Sequence, residues 1–407
     1  MTDTVYWIWL ASLRGVGVKT KRELLDRFGS PAAVFGATEQ ELGSCGLTAS
    51  ALAAFGRRNL DYAEKVLQKC ESGGVRIITL REAGYPQRLM NIFDPPLVLY
   101  VRGALPDIDS EPVVAMVGTR SYSTYGERMA RKLGAEVALC GGTVCTGLAG
   151  GIDSICAQSA LDVGGRVVGV LGTAINQVYP RSNEPLFAAV EQNGALVSEY
   201  PPDALTSARC FPARNRIIAG LSVAVCVVEA PQKSGALITA DFAAENGRDV
   251  FAVPGGADSD KSRGCNNLLR DGAGLAEAGW DILSAYAARF PEKISKYAQI
   301  PARSAESPPP KRAPAEDTAA FYKFREPVAK KPKAPEPPPP PPPSDSGLTE
   351  TQRKILSAIR PPETHIDDII SASGLTAPQV LSQLTMLQIK GFVRQGAGKR
   401  FSRTGKV

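Results

Sequence analysis

Residues 113–126 read Val-Val-Ala-Met-Val-Gly-Thr-Arg-Ser-Tyr-Ser-Thr-Tyr-Gly, an apolar run that breaks into a polar turn. The run is too short for a helix and too continuous for a strand with one wet face, so it predicts a strand inside a parallel sheet. A helix is expected next over 127–140, with Met129, Leu133, Val137 and Ala138 on one side. In such a strand–turn–helix unit the first N–H groups of the helix lack intrahelical partners and face the carboxyl edge of the sheet, where anions bind. Thr119, Ser121 and Ser123 bring hydroxyls to this turn. Arg120 brings a permanent cation able to grip a phosphate through two parallel hydrogen bonds. The same residues also suit an ordinary capped junction.

The pattern repeats. Strands are expected at 113–118, 143–146, 166–171, 195–198, 223–229 and 249–253, with helical segments between them and a lead-in segment over 85–103. Alternation at this spacing requires right-handed crossovers and gives an α/β fold with a doubly wound parallel sheet. Gly118, Gly147, Gly150, Gly151, Gly172, Gly255 and Gly256 follow strand ends and gather at one edge.

What this edge lacks narrows its chemistry. There is no Gly-x-Gly-x-x-Gly at the first turn and no Gly-x-x-x-x-Gly-Lys-Ser/Thr in the chain, so neither a dinucleotide fingerprint nor a Walker-type loop is present. The single histidine, His365, lies near the C-terminus, which excludes a Ser–His–Asp triad or a histidine base from the edge. Asp153 and Glu199 remain as acids or bases, and both suit caps or hydrogen-bond anchors better than catalysis. The edge is expected to bind and not to react, with no catalytic residue, metal or cofactor. The net charge of +6 permits a polyanionic partner without requiring one. Eight cysteines without a Cys-x-x-Cys pair fit reduced core thiols. With no basic leader and no apolar run of membrane-spanning length, a cytoplasmic protein without membrane insertion is expected.

Four regions are expected. Residues 1–70 read as a small helical domain of helix-hairpin-helix or SAM-like type, in which Gly15-Val16-Gly17 joins two helices. Only Lys19, Lys21 and Arg22 stand near that turn, so a structural or docking role suits it better than DNA contact. The α/β body spans 75–287. Residues 288–346 are rich in proline, alanine, lysine and glutamate, with an unbroken proline run at 337–343, and read as a disordered spacer. Residues 347–407 read as a winged helix, with helices at 349–359, 366–373 and 377–389 and a hairpin over 391–401. Its tail carries Lys390, Arg394, Lys399, Arg400, Arg403 and Lys406 without an acid, so Lys399, Arg400 and Arg403 are candidate contacts to a phosphate backbone. Its third helix offers only Gln379, Gln383 and Gln388 for reading base edges. Non-specific DNA contact and protein docking both remain open for this domain; sequence-specific repression is not expected.

Several blocks of the body carry a resemblance. They are Gly118-Thr119-Arg120-Ser121 through Gly126, Thr146-Gly147-Leu148-Ala149-Gly150-Gly151-Ile152-Asp153, Tyr179-Pro180-Arg181-Ser182-Asn183 and Ser198-Glu199-Tyr200-Pro201-Pro202. Phe211-Pro212-Ala213-Arg214-Asn215-Arg216 with its apolar continuation, Ser234-Gly235-Ala236-Leu237 and Phe251-Ala252-Val253-Pro254-Gly255 follow in register. Together they resemble the DNA-processing protein A family (DprA, also called Smf). The resemblance implies an extended Rossmann-like domain that forms a homodimer, binds single-stranded DNA without strong sequence preference and hands it to the recombinase RecA during natural transformation. It implies no enzymatic activity. Carried over residue by residue, Gly118, Thr119 and Arg120 correspond to the family's phosphate-gripping turn, completed by Ser123 and Tyr125, and Arg181 to a basic residue beside the strand-binding groove. Asn183, Arg214, Asn215 and Arg216 match family blocks and either touch DNA or brace the sheet edge. Ser234 and Gly235 form either a second anion seat or an N-cap.

Two positions depart from the family pattern: Gly150 and Ala157 stand where it usually carries arginine and histidine, which removes a cation from that loop. Two other readings stay open. Pro254-Gly255-Gly256 also points to nucleotide-processing enzymes of the wider Rossmann group, but those want a threonine–glutamate pair soon after, where Ala257-Asp258-Ser259-Asp260-Lys261 stands. The third is a regulatory DNA-binding protein acting through its wing.

Overall fold

In a computed structural model of the protein, residues 3–13, 15–56, 58–296, 348–390, 392–395 and 400–404 are described. They fall into two units, one within Met1–Phe324 and the other within Arg325–Val407. The first opens with six helices: α1 (Asp3–Ser12), α2 (Val18–Phe28), α3 (Pro31–Gly36), α4 (Glu39–Gly43), α5 (Ala49–Gly56) and α6 (Asp61–Ser72). Gly15, Val16 and Gly17 link α1 to α2, as the spacing predicts. Trp7, Ile8, Trp9 and Leu10 of α1 are buried, so these helices share one core with the body that follows.

Strands β1 (Arg76–Thr79) and β2 (Val98–Gly103), joined through the short α7 (Gln87–Met90), arise from and just before the lead-in segment. The crossovers come next: β3 (Val113–Val117), α8 (Thr124–Leu139), β4 (Thr143–Thr146), α9 (Ile152–Asp162), β5 (Val167–Leu171), α10 (Glu184–Gln192) and β6 (Gly194–Ser198). The second half follows as α11 (Cys210–Leu221), β7 (Ala224–Val227), α12 (Gly235–Glu245), β8 (Asp249–Ala252), α13 (Arg263–Arg270), β9 (Gly274–Leu275) and α14 (Gly279–Leu283). One nine-stranded sheet results, in the order β1-β2-β6-β5-β4-β3-β7-β8-β9. From β6 through β9 every pairing is parallel, whereas β2 lies antiparallel to both β6 and β1. The sheet is therefore doubly wound and mostly parallel, with an antiparallel margin.

The winding fixes where a site can form. The chain steps outward from β3 through β4, β5 and β6, then returns to β7 on the other side of β3. Loops after β3 and β7 thus diverge and leave a crevice at the carboxyl edge, the place where open α/β sheets bind ligands. All five residues of β3 are buried. Over the sheet α8 crosses α9 closely: a Cβ on Gly134 would stand 2.5 Å from the carbonyl oxygen of Cys156.

The second unit contains α15 (Glu350–Ala358), α16 (Ile366–Ser373) and α17 (Ala377–Ile389). A sheet in the order β10-β12-β11 joins them, from β10 (Thr364–His365), β11 (Val393–Gln395) and β12 (Arg400–Arg403). Leu348, Ile355, Ile369, Val380, Leu384, Leu387 and Phe401 make its core. Three helices and a hairpin match the winged-helix pattern, and β10 adds a strand to it. Residues 288–296, expected in the disordered spacer, instead pack on the first unit, because Phe290 and Ile294 are buried in its core and Lys293 pairs with Glu111 at 2.5 Å. The rest of the spacer, from residue 297, lies outside the described residues, as do Lys399 and Lys406. Among the described residues no helix is long and apolar enough to cross a membrane.

Candidate nucleic-acid interface

The turn between β3 and α8 is held from beneath by a carboxylate. Glu229, two residues past β7 and 2% exposed, accepts from Ser123 N at 2.8 Å on Oε2 and from the Ser123 hydroxyl on Oε1. Its carbonyl accepts from Thr119 N at 2.7 Å. Ser123 also caps α8, accepting from Gly126 N at 3.0 Å. Gly126 makes room for this arrangement: a Cβ there would lie 2.4 Å from Glu229 Oε2. Thr119 Oγ1 accepts from Ser121 N at 3.2 Å, and Tyr125 donates its hydroxyl to Pro254 O at 2.7 Å, tying α8 to the loop after β8.

A second carboxylate joins the loops after β3 and β4. Asp153 accepts from Gly118 N at 3.3 Å and from Gly147 N at 3.2 Å. Arg214, 5% exposed, holds the second of these loops from its other side, donating to Gly147 O at 2.9 Å and to Val170 O. Burial pushes the Asp153 carboxyl up and the Arg214 guanidinium partly offsets that; burial pushes Arg214 down to about 10, with Asp153 opposing. Arg216 is likewise inside, donating to Asp94 O at 2.8 Å, to Asp94 Oδ2 at 3.2 Å and to Glu199 Oε1 at 2.7 Å. Asp153 and Glu199 therefore act as anchors, and the guanidinium groups of Arg214 and Arg216 bind the body's own oxygens.

Arg120 is placed differently. Its side chain is exposed, its guanidinium stands 5.9 Å from the centre of the Phe211 ring, and it forms no ion pair among the described residues. Phe211 opens α11 beside Tyr179, with ring centres 5.3 Å apart. Arg181 is exposed in the 3-10 turn Arg181–Asn183, and Asn183 fixes that turn by donating to Leu148 O at 3.0 Å. Asn215 donates to Gly235 O at 3.2 Å, linking α11 to the start of α12, where Ser234 accepts from Ala236 N at 3.3 Å. Nothing stands within 4 Å of a Cβ built on Gly235. The carboxyl edge thus brings together Gly118, Thr119, Arg120, Asn183, Arg214, Asn215, Ser234 and Gly235, while Arg216 faces Asp94 and Glu199. Sequence reasoning passed over Phe211, Tyr179 and Glu229. The aromatic that opens the Arg-Asn-Arg block and the acid at a strand end beside a glycine turn were the signals.

Two other cationic surfaces differ from their expected form. Lys21, beside the helix–hairpin turn, is 4% exposed and donates to Ala11 O at 2.9 Å. Burial pushes its ammonium down to about 8 against the pull of Glu199 and Asp94. In the second unit Gln379 Oε1 accepts from Thr376 N at 3.1 Å, and Gln383 accepts from Gln352 at 2.9 Å, so two of the three candidate base readers are held by their own domain. Arg394 and Arg400 are exposed, and Arg403 donates to Leu356 O. Among the described residues no group of three or more His, Cys, Asp or Glu side chains could hold a metal ion.

Residues 76–287 match the family described as DNA recombination-mediator protein A, and residues 336–399 match the DprA winged helix domain. Protein Smf of Synechocystis sp. is 33% identical over 409 residues, 99% of each chain. The DNA processing protein DprA of Streptococcus pneumoniae is 41% identical over 204 residues, 50% of this chain and 71% of the relative. An X-ray structure of that Streptococcus protein superposes with a TM-score of 0.62 at 32% identity, covering 70% of this chain and 98% of the other.

Proposed function

This chain belongs to the DNA recombination-mediator protein A family, and from that premise we propose that it binds single-stranded DNA along the carboxyl edge of its sheet and loads RecA onto the strand. The observation that carries the reading is Arg120, exposed over Phe211 and outside any ion pair among the described residues. A strand of any sequence presents evenly spaced phosphates, which a cation grips without reading bases. Bases present π faces that stack on aromatic side chains for roughly 1–3 kcal/mol each, and Phe211 and Tyr179 supply rings beside the cation. Arg181, Asn183, Asn215, Ser234 and Gly235 extend the surface, and Thr119, expected to grip phosphate, is buried beneath it and holds Ser121. Ser123, Tyr125, Arg214 and Arg216 serve it by holding the turn, the loops and α11 in place.

The protein acts by binding and not by catalysis, as a cytoplasmic homodimer that protects incoming single strands in transformation and recombination. Its functional divisions are 1–70, a helix-hairpin-helix docking module; 75–296, the DNA-binding body, which takes in Phe290 and Ile294 at its core; 297–346, the spacer; and 347–407, a winged helix whose Arg400 supports backbone contact. The nucleotide-hydrolysing alternative gains no support at the edge, where Asp153 and Glu229 accept bonds from the protein's own groups. RecA nucleation on oligo-dT already covered by a single-strand-binding protein tests the proposal. Added protein should shorten the lag before filament growth, and an unchanged lag with intact DNA binding would remove the loading role while leaving the binding role standing.

A further inference from the structure

Between β3 and β7, at the switch of the sheet, a helix N-terminus would ordinarily receive a ligand's phosphate. Here α8 is 16 residues long, and its capping residue, Ser123, gives both its N–H and its hydroxyl to Glu229. Three independent features serve the contact. The carboxylate is almost wholly buried, Ser123 engages it through both its N–H and its hydroxyl, and Gly126 lacks the side chain that would collide with it. Gly126 N is also turned to Ser123 Oγ, so the capping serine passes the carboxylate's charge into the first turn.

We propose that Glu229 is a specificity-determining residue: its carboxylate is a built-in occupant of the phosphate seat at the start of α8, and it closes that seat to free phosphate and to the terminal phosphate of a nucleotide. The consequence for the DNA-binding reading, on which this part alone rests, is that polymer phosphates are taken by side-chain cations such as Arg120 and not by the helix start. A negative charge fixed there repels a second anion brought to the same N–H groups, so the Rossmann-type edge is diverted from small phosphorylated ligands. The absence of a Gly-x-Gly-x-x-Gly turn agrees, because the backbone has no pyrophosphate to approach.

Anion rescue tests this without DNA. In Glu229→Ala the seat is vacated, and formate, small enough to replace the lost carboxylate, should raise the melting temperature saturably by several degrees beyond an equal concentration of chloride. Wild type should show no difference between the two salts. If the variant is unfolded in chloride, recovery of its circular dichroism in formate reads the same property. Glu229→Gln keeps the seat filled but removes the charge; it should melt lower than wild type and ignore formate. Inorganic phosphate, followed by 31P NMR line broadening in the Arg120→Ala background, should bind the protein that also carries Glu229→Ala and not the one that keeps Glu229. A formate response no larger than the chloride response in Glu229→Ala, or a glutamine variant as stable as wild type, would overturn the proposal. Loss of oligo-dT binding by wild type would instead remove the DNA reading and leave the built-in occupant in place.

Discussion

At the scale of single residues, the edge is built from charges with opposite duties. Arg214 is buried with its guanidinium on Gly147 O and Val170 O, so removing it leaves two buried carbonyls without that donor and takes a favourable charge away from Asp153. Arg214→Leu should destabilise the fold by about 2–4 kcal/mol through these lost charge-assisted hydrogen bonds, measured by urea unfolding at neutral pH; a loss below about 1 kcal/mol would show that Arg214 does not brace the loops. Lys21 offers a pH test. Its folded pKa of about 8 lies below the ordinary 10.5, so the unfolded chain holds the proton more tightly and stability rises with pH between those values. Relative to Lys21→Met, wild type should gain about 3 kcal/mol from pH 8 to 10.5. A constant difference between the two proteins over that range would contradict the burial of a charged lysine. The types of residue needed for phosphate handling were legible in the sequence, since Thr119, Arg120 and Ser123 stand in one turn. Their division of labour was not. Arg120 and Arg214 are chemically identical, and only the packing of α11 against β5 turns one guanidinium inward while β3 leaves the other outside.

Among elements, the strands β3 to β8 were legible because continuous apolar runs ended in glycine or polar turns. β1, β2 and β9 were not. β2 carries Val98, Leu99, Tyr100 and Val101 all buried, yet one of its two antiparallel partners, β6, comes from far along the chain, and β9 has two residues. Nor could Glu229 be placed, because its contact with Ser123 depends on β7 lying beside β3, a property of winding order and not of local pattern. The helix pair over the sheet makes its own prediction. Gly134 lets α8 approach the backbone of α9, so Gly134→Val should cost roughly 1–3 kcal/mol through overpacking even though valine is the better helix former. Thermal unfolding checks this, and a variant of unchanged or higher melting temperature would mean that the crossing relaxes without penalty.

Across the whole molecule, strand binding is proposed for the first unit, with the winged helix in a supporting part. The exposed cations of the second unit, Arg394 and Arg400, face solvent on a domain whose Gln379 and Gln383 are already engaged. Removing residues 348–407 should leave oligo-dT affinity within about threefold of the full chain, a difference below roughly 0.7 kcal/mol. A loss of about a hundredfold would move the binding site to the wing. The most direct measurement is fluorescence anisotropy of labelled oligo-dT, and of duplex of the same length, across a salt series with wild type and Arg120→Ala. Each phosphate gripped on a single strand adds about −0.7 to the slope of log affinity against log salt. The sheet-edge account predicts preference for the single strand, weaker binding by Arg120→Ala and a slope shallower by about 0.7. Equal affinity for both DNA forms, with slope and affinity unmoved by Arg120→Ala, would contradict it.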